Sequence, residues 1–490
     1  MPNKMLISRL SDYLSAHMGL YFPEKRWAEL EQKMLSAMKD FDFAEVEEFI
    51  RWLLSAPLSR QQIEALAGHL SVKETYFFRE NKIFEVLERL IFPELIKARH
   101  KTEKRIRIWS AGCSTGEEAY SIAILLNRLI PDIRDWNITI LATDINPSAL
   151  QKAKKGIYSE WSFRETSQRI KDEYFNKVNG GNFEIRSPIK EMVFFSYLNL
   201  SEDVYPSLPN NTNAMDLILC RNVLMYFAPE YAAEAVQRLH RCLIEGSFLI
   251  VSVVEVSSIL SSQFKPVRFQ DVTIYKKDGY YLKTEKKTEP LTEKEAASYP
   301  LYPIETRPPK PAKPLPVKKT DGSKTIHSKS TIYEQASVLY NQGYYQEAEE
   351  KLIGLLSGNQ DKAKSIILFA HALANQGKLA DALHWCGQAI SADKLNPGLH
   401  YLYATILEEQ GKSAEATLSL NKAIYLDPDF ILAHFALGNL MQRLGKQAEK
   451  RKCFRNTAEL LSKSKPEEIV PESEGLTAGR LFELLRFINI

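Results

Sequence analysis

Apolar residues return every third or fourth position through roughly the first 85 residues, as in "WAELEQKMLSAM" (Trp27 to Met38) and "AEVEEFIRWLLS" (Ala44 to Ser55). That spacing predicts amphipathic helices, and no β-rich run interrupts them, so region 1–85 reads as a helical bundle. From about 100 to 285 the pattern changes. Short runs rich in β-branched and aromatic residues, "RIRIWS", "ITILATDI", "MVFFSYLNL", "MDLILC" and "GSFLIVSVV", alternate with amphipathic helical stretches. Such alternation predicts an α/β unit over 86–285 with a doubly wound, Rossmann-like parallel sheet.

Between 286 and 328 the chain is rich in proline and lysine, as in "RPPKPAKPLPVKK" (Arg307 to Lys319). No core can be built from that composition, so the segment reads as a semi-extended basic linker. Beyond it, Gly343, Gly377, Gly411 and Gly445 recur at a period of 34 residues. Ala348, Ala382 and Ala416 follow the first three glycines, and Ala336, Ala370 and Ala404 precede them, with Gly438 before the fourth. This places small residues where two helices of a hairpin cross and glycine in the turn between them. The pattern resembles four tetratricopeptide (TPR) repeats over 329–464, an α-helical solenoid with a groove for a peptide or protein partner. Lys450 stands where the fourth repeat would have alanine. The tail, 465–490, ends in "AGRLFELLRFINI" (Ala478 to Ile490), an amphipathic helix suited to capping the last repeat.

Composition changes the picture little. With 44% hydrophobic and 26% charged residues and a net charge of +3, the chain shows no electrostatic case for nucleic acid as partner. Its longest apolar run, near Phe248 to Val254, is far short of the roughly 20 residues of a membrane helix. The first residues mix charge into their apolar stretch, unlike a signal peptide, and a cytoplasmic protein is expected. Five scattered cysteines without a CxxC pair, and nine histidines without a cluster, predict neither a disulfide framework nor a metal site.

Chemistry concentrates around "RIRIWSAGCSTGEEAYSIAILL" (Arg105 to Leu126), a strand, a glycine-bearing turn and a helix. A dinucleotide turn aims backbone N–H groups at a pyrophosphate. Glu117 and Glu118 would repel one, and the turn is neither GxGxxG nor a Walker loop. Acids in a first helical turn also serve the helix dipole, which accounts for Glu118 more fully than for Glu117 directly after the loop glycine. A cationic adenosyl ligand fits: S-adenosylmethionine carries an ammonium and a sulfonium and no phosphate. Asp144, ending the next strand, is placed to accept from both ribose hydroxyls, or else to act as a turn residue before Pro147.

Five ordered segments then resemble the CheR family of chemotaxis receptor methyltransferases: "SVKETYFFRE" (Ser71 to Glu80), "IWSAGCSTGEEAYSIA" (Ile108 to Ala123), "LATDINPSALQKAKKGIY" (Leu141 to Tyr158), "FFSYLNL" (Phe194 to Leu200) and "DLILCRNVLMYF" (Asp216 to Phe227). The resemblance spans about 5–285 and implies a protein-glutamate O-methyltransferase. S-adenosylmethionine would be the methyl donor, S-adenosylhomocysteine the product, and the helical cytoplasmic bundle of a chemoreceptor the substrate. By position it implies a cofactor site of Thr75, Arg79, Ala111, Glu117, Asp144, Asn199, Leu200, Arg221 and Asn222. Lys73 departs from the asparagine of many members.

Arg79 and Tyr226 are the candidates for orienting the incoming carboxylate, with Tyr226 alternatively a packing aromatic. Phe77 and Phe78 read as core, Cys113 and Cys220 as space fillers, and Lys25, Arg26 and Lys33 as part of a solvated mixed-charge helix. The stretch "YFNKVNGGNFEIRSPIKEM" (Tyr174 to Met192) resembles the family's small β insertion, shortened near Asn179 to Asn182. That shortening turns the expectation of targeting toward the repeats. Two other functions compete: a cofactor-binding adaptor with little turnover, and a methyltransferase for another substrate.

Overall fold

The computed structural model describes residues 3–72, 74–100, 104–207, 210–255, 258–269, 272–278, 332–356, 362–473 and 475–486. The expected linker at 286–328, Lys73 and the last residues of the expected terminal helix lie outside the described residues.

Four helices open the chain: α1 (Lys4–Met18), α2 (Trp27–Ala37), α3 (Val46–Leu53) and α4 (Arg60–Leu70). Their apolar stripes meet in a core that includes Leu10, Leu14, Leu30, Met34, Phe49 and Leu66. The first turn of α4 is closed by a capping box between Ser59 and Gln62. Lys33 Nζ donates to the Leu70 carbonyl at 2.8 Å, satisfying a free carbonyl at the other end of α4. Lys33 is therefore a cap, not part of a solvated charge face. Helices α5 (Asn81–Val86) and α6 (Phe92–Arg99), joined by one π-helical turn, lead into the sheet.

The main sheet has seven strands in the order β6-β2-β1-β7-β8-β10-β9. The five expected runs form β1 (Arg105–Ala111), β2 (Asn137–Asp144), β6 (Val193–Tyr197), β7 (Met215–Leu219) and β8 (Leu243–Ile250), all parallel to their neighbours among these. Helices α7 (Glu117–Leu129), α8 (Pro147–Lys155) and α11 (Pro229–Cys242) cross over between strands. The sheet is mixed, not wholly parallel, because β9 (Lys265–Phe269) and β10 (Val272–Lys276) add an antiparallel hairpin at one edge. The sequence "KPVRF" of β9 explains why it escaped notice: a proline and two charges suit an edge strand and hide its alternation. Between α8 and β6 a three-stranded antiparallel sheet, β3-β5-β4, is built from β3 (Ile157–Tyr158), β4 (Phe175–Val178) and β5 (Asn182–Ile185). Helices α9 (Gln168–Tyr174) and α10 (Ser187–Lys190) flank it, and α12 (Ser258–Ser261) precedes β9.

The repeats form four helical hairpins: Ile332–Asn341 with Tyr345–Leu356, Lys362–Asn375 with Leu379–Ala392, Pro397–Glu409 with Ser413–Leu426, and Ile431–Arg443 with Gln447–Leu461. Each turn glycine adopts φ between 71° and 77°, a region that side chains with a Cβ avoid. At equivalent positions of the four hairpins stand the buried Ala336 and Leu352, Ala370 and Cys386, Ala404 and Leu420, and Gly438 and Phe454. A Cβ on Gly438 would lie 2.4 Å from the Phe454 ring, so the smallest residue faces the largest. The chain then returns over the last hairpins to a terminal helix, Ala478–Arg486, whose Leu481, Leu484 and Leu485 share one apolar cluster with Tyr401, Phe435 and Phe454.

The array docks against the amino-terminal edge of the main sheet. The turn at Gly343 meets Arg241, that at Gly377 meets Ile244, and that at Gly411 meets Asn137. Inside this contact Arg105, at the start of β1, pairs with Glu409 at 2.9 Å, and Asn213 Nδ2 donates to the other carboxylate oxygen at 3.0 Å.

Candidate active site

In a doubly wound sheet ligands sit outside the carboxyl ends of the strands where the order reverses. Here that point lies between β1 and its neighbours β2 and β7. After β1 the chain enters the turn Gly112 to Gly116. Gly112 has φ 83° and a Cβ there would lie 2.3 Å from Val223, so only glycine lets the turn pass beneath that side chain. The N–H groups of Gly112 and Cys113 both donate to the Thr143 carbonyl, at 2.8 and 2.9 Å, which fastens the turn to β2. Asp144 then accepts from the Ser114 N–H and the Asn146 N–H, each at 2.8 Å. Two backbone N–H groups thus hold its carboxylate at the cavity wall.

Two adjoining cavities open at this place. The larger, about 770 Å³ including its open mouth, falls in the size range of ligand pockets, roughly 300–1,000 Å³. Its apolar lining includes Leu198, Leu200, Val223 and Phe227 with Met18 and Phe22 of the N-terminal region. Its polar lining includes Asp144, Asn199, Tyr226 and Arg26. The smaller cavity, about 460 Å³, is polar and is lined by Thr75, Arg79, Glu118 and Arg221 among others. Val72, Gly112, Ser114 and Asn222 line both, so the two meet at the glycine turn.

The polar cavity is organised around Arg221, whose side chain is 2% exposed. Its guanidinium donates to Glu118 at 2.9 Å and to the Arg79 carbonyl at 2.6 Å, and lies 3.4 Å from Glu80. Glu118 also accepts from Ser110 Oγ at 2.6 Å. Among the described residues, the Nε of Arg221 and the hydroxyl of Ser114 are buried without a hydrogen-bond partner. Buried polar groups are normally paired, so these two mark where a polar ligand would complete the site. Beyond Arg221, the loop to Tyr226 is tied by Glu255, which accepts from the N–H groups of Asn222 and Val223 at 2.7 and 2.6 Å.

Most of the residues expected from sequence converge here. Asp144, Asn199, Leu200, Asn222 and Tyr226 line the larger cavity, and Thr75, Arg79, Arg221 and Asn222 the smaller. Ala111 lies at the buried end of β1 and lines neither. Glu117 also lines neither: it is turned inward, 1% exposed, and accepts from Thr115 Oγ1 and Ser162 Oγ at 2.6 and 3.1 Å. Burial raises its carboxyl above the ordinary value, with the two hydroxyls opposing the rise. The acid on the wall is its neighbour Glu118, because one residue along a helix rotates the side chain by about 100°.

Arg26 is a correction of another kind. It is not simply solvated: it lines the larger cavity, forks onto Glu29 with two contacts of 2.9 Å, and lies 5.7 Å from the Tyr226 ring centroid. Burial raises the Tyr226 hydroxyl above its ordinary value, and the charges of Arg26 and Arg79 oppose that rise. At neutral pH the phenol is therefore a neutral donor. Burial pushes the Cys113 and Cys220 thiols well above their ordinary range, which suits space fillers and not nucleophiles.

Comparison with known proteins places these features in a family. "CheR methyltransferase, SAM binding domain" matches residues 73–272, and a TPR repeat family matches 404–445. The chemotaxis protein methyltransferase of Borreliella burgdorferi is 34% identical over 247 residues, covering 50% of this chain and 86% of that protein. Chemotaxis protein methyltransferase 2 of Vibrio cholerae serotype O1 is 31% identical, over 56% of this chain and 91% of its own. Chemotaxis protein methyltransferase 1 of Pseudomonas aeruginosa is 33% identical, over 44% and 77%. A switch-point cavity with Asp144 on its wall, in a chain with these relatives, defines a methyltransferase that uses S-adenosylmethionine. The chain belongs to the CheR methyltransferase family and carries TPR repeats behind that domain.

Proposed function

We propose that this protein methylates glutamate side chains on the helical cytoplasmic part of a chemoreceptor, and that it does so in the cytoplasm. No helix among the described residues is long and apolar enough to cross a membrane, in keeping with a target reached from solution. The observation that supports this reading best is the meeting, at Gly112, Ser114 and Asn222, of a largely apolar cavity that holds Asp144 with a polar cavity that holds Glu118, Arg79 and Arg221.

The division of labour follows from the linings. The apolar wall of Leu198, Leu200 and Phe227 suits a flat base, and Asp144, with both oxygens anchored by N–H groups, suits a ribose diol. Arg221, Glu118 and Thr75 suit the amino acid end, where a carboxylate and an ammonium need opposite partners. When bound, S-adenosylmethionine supplies a methyl group on a cationic sulfur that can leave with its electron pair. A glutamate side chain, with a pKa of about 4.3 in water, arrives already ionised, so the protein needs no general base. Its tasks are alignment and exclusion of water.

Arg79 at the polar cavity and Tyr226 at the larger one flank the junction, and both can donate to the arriving carboxylate. Their grip must be modest, because the ester product is uncharged and tight binding of the anion would stabilise the ground state. Residues 1–85 and 86–285 form the working enzyme in this reading, with 286–328 as linker, 329–464 as partner-binding array and 465–490 as its cap.

The test is to incubate the purified protein with methyl-labelled S-adenosylmethionine and receptor cytoplasmic fragments from the same organism, then treat the labelled product with base. Release of volatile labelled methanol identifies a carboxyl methyl ester. Cofactor binding without any base-labile label on receptor would overturn the proposal in favour of an adaptor.

A further inference from the structure

The terminal helix reaches the wall of the larger cavity through a short polar chain. Arg480, with a side chain 10% exposed, lies 3.3 Å from Glu202 Oε2, and its guanidinium carbon is 5.0 Å from the Tyr197 ring centroid. The other carboxylate oxygen of Glu202 accepts from Asn199 Nδ2 at 3.2 Å, and the same amide donates to the His17 carbonyl at 2.7 Å. Asn199 is 1% exposed and lines the cavity beside Asp144. Tyr197 is the register partner of Asp144 across β6 and β2. Arg60 of α4 lies 3.6 Å from the same ring, so Tyr197 meets a cation from each end of the chain.

Arg480 is placed by the repeats. The Gly479 N–H donates to the Pro466 carbonyl at 3.0 Å, a Cβ on Gly479 would meet that same oxygen at 3.0 Å, and Ile469 bridges Thr477. Leu481, next in line, is fully buried in the cluster of the last two hairpins. Among the described residues the Nε and Nη2 of Arg480 have no hydrogen-bond partner, and Nη2 is the atom nearest Glu202, so the link to Glu202 is an ion pair of opposite charges and not a hydrogen bond, with the face of Tyr197 as the other neighbour.

We propose that Arg480 is a positioning residue for the cofactor cavity: fixed to the array, it holds Glu202, and Glu202 holds the Asn199 amide. The affinity for S-adenosylmethionine thereby depends on a residue more than 250 positions from Asn199. This inference rests on the reading of the larger cavity as the cofactor site.

The experiment measures S-adenosylmethionine binding by calorimetry, and KM against kcat, on the full chain and its variants. R480Q is expected to weaken binding by roughly fivefold, the lower end of ordinary coupling between sites, with kcat at saturating cofactor retained. R480K keeps the charge and is expected to restore most of the affinity. E202Q and R480Q/E202Q are expected to match R480Q, since each breaks the same chain. Y344F, which removes the hydroxyl that accepts from Gln237 at the far end of the docking surface, is expected to bind as the parent does.

Parental affinity in R480Q, or an equal loss in Y344F, would overturn the inference. D144A separates the two levels. If it binds cofactor normally, the cavity assignment fails and the inference with it. If D144A loses binding while R480Q does not, only the role of Arg480 fails.

Discussion

Replacing Glu409 by Gln tests whether the array is fixed to the methyltransferase domain by buried charge. Arg105 and Glu409 have side chains 1% and 8% exposed and meet at 2.9 Å. Two nitrogens of Arg105, Nε and one terminal atom, have no hydrogen-bond partner among the described residues, so nearly all compensation for its charge comes from Glu409. Arg107 stands 3.9 Å from the same carboxylate but also reaches Asn211 and Asn213. Burial lowers the Arg107 pKa to about 10, and the charge of Glu409 opposes that fall. Stranding one member of a buried pair costs about 3–5 kcal/mol, against at most about 1 kcal/mol for an exposed pair. E409Q should therefore weaken the contact by about 3 kcal/mol, with faster hydrogen exchange at both 105–111 and 397–409. The double variant R105M/E409L removes both charges and should recover most of the loss, a signature no surface pair gives. The reasoning is refuted if E409Q leaves exchange in both segments unchanged, or if the double variant is as weak as the two single losses added.

Three more outcomes follow from particular contacts. E118Q should raise the KM for S-adenosylmethionine by about tenfold, the effect of weakening one charge-assisted bond to Arg221, while E117Q should leave it within about twofold; the reverse ranking would place Glu117 at the ligand. E117Q should also change stability with pH. A carboxyl whose folded pKa is raised contributes fully below its unfolded value and loses that contribution as pH rises through the folded one, so the midpoint gained by E117Q in urea should grow as pH rises above about 4 and level off once the folded carboxyl has ionised; a flat difference counts against burial as the cause. G438A should destabilise the fourth hairpin by about 1–3 kcal/mol in thermal unfolding although alanine favours helix, and F454L should rescue it by making room.

What could be read in advance was whatever repeats or alternates. The five parallel strands are short β-rich runs, two of them buried throughout, and the hairpins carry a fixed period, so local sequence held both. The hairpin of β9 and β10 did not show, since five-residue edge strands carry too little alternation. Glu117 and Glu118 are adjacent in a string and point apart on a helix, a difference that only the packing of Ser162 against α7 settles. Arg26, Met18 and Phe22 reach the cavity across a helix packing that no local pattern encodes. A clue was available for Glu255: an acid in the otherwise apolar "VSVVEVSS" must have buried partners, and the N–H groups of the 222–225 loop are those partners.

The position of the array constrains how it can serve the chemistry. Its turns contact the starts of β1, β2 and β8, on the side of the sheet opposite the cavities, so Gly343, Gly377 and Gly411 are far from any arriving carboxylate. The same solenoid ends in a helix that touches Glu202 and Tyr197, at the carboxyl end of β6 beside the cofactor wall. A helical array held at one edge by Arg105 and Glu409 and at the other by Arg480 cannot swing away from the methyltransferase domain without breaking charge contacts at one of them. A partner seated in the groove is therefore carried at a fixed place relative to the active site, and that fixed geometry can raise the local concentration of a receptor only along directions that leave the cavity mouth open.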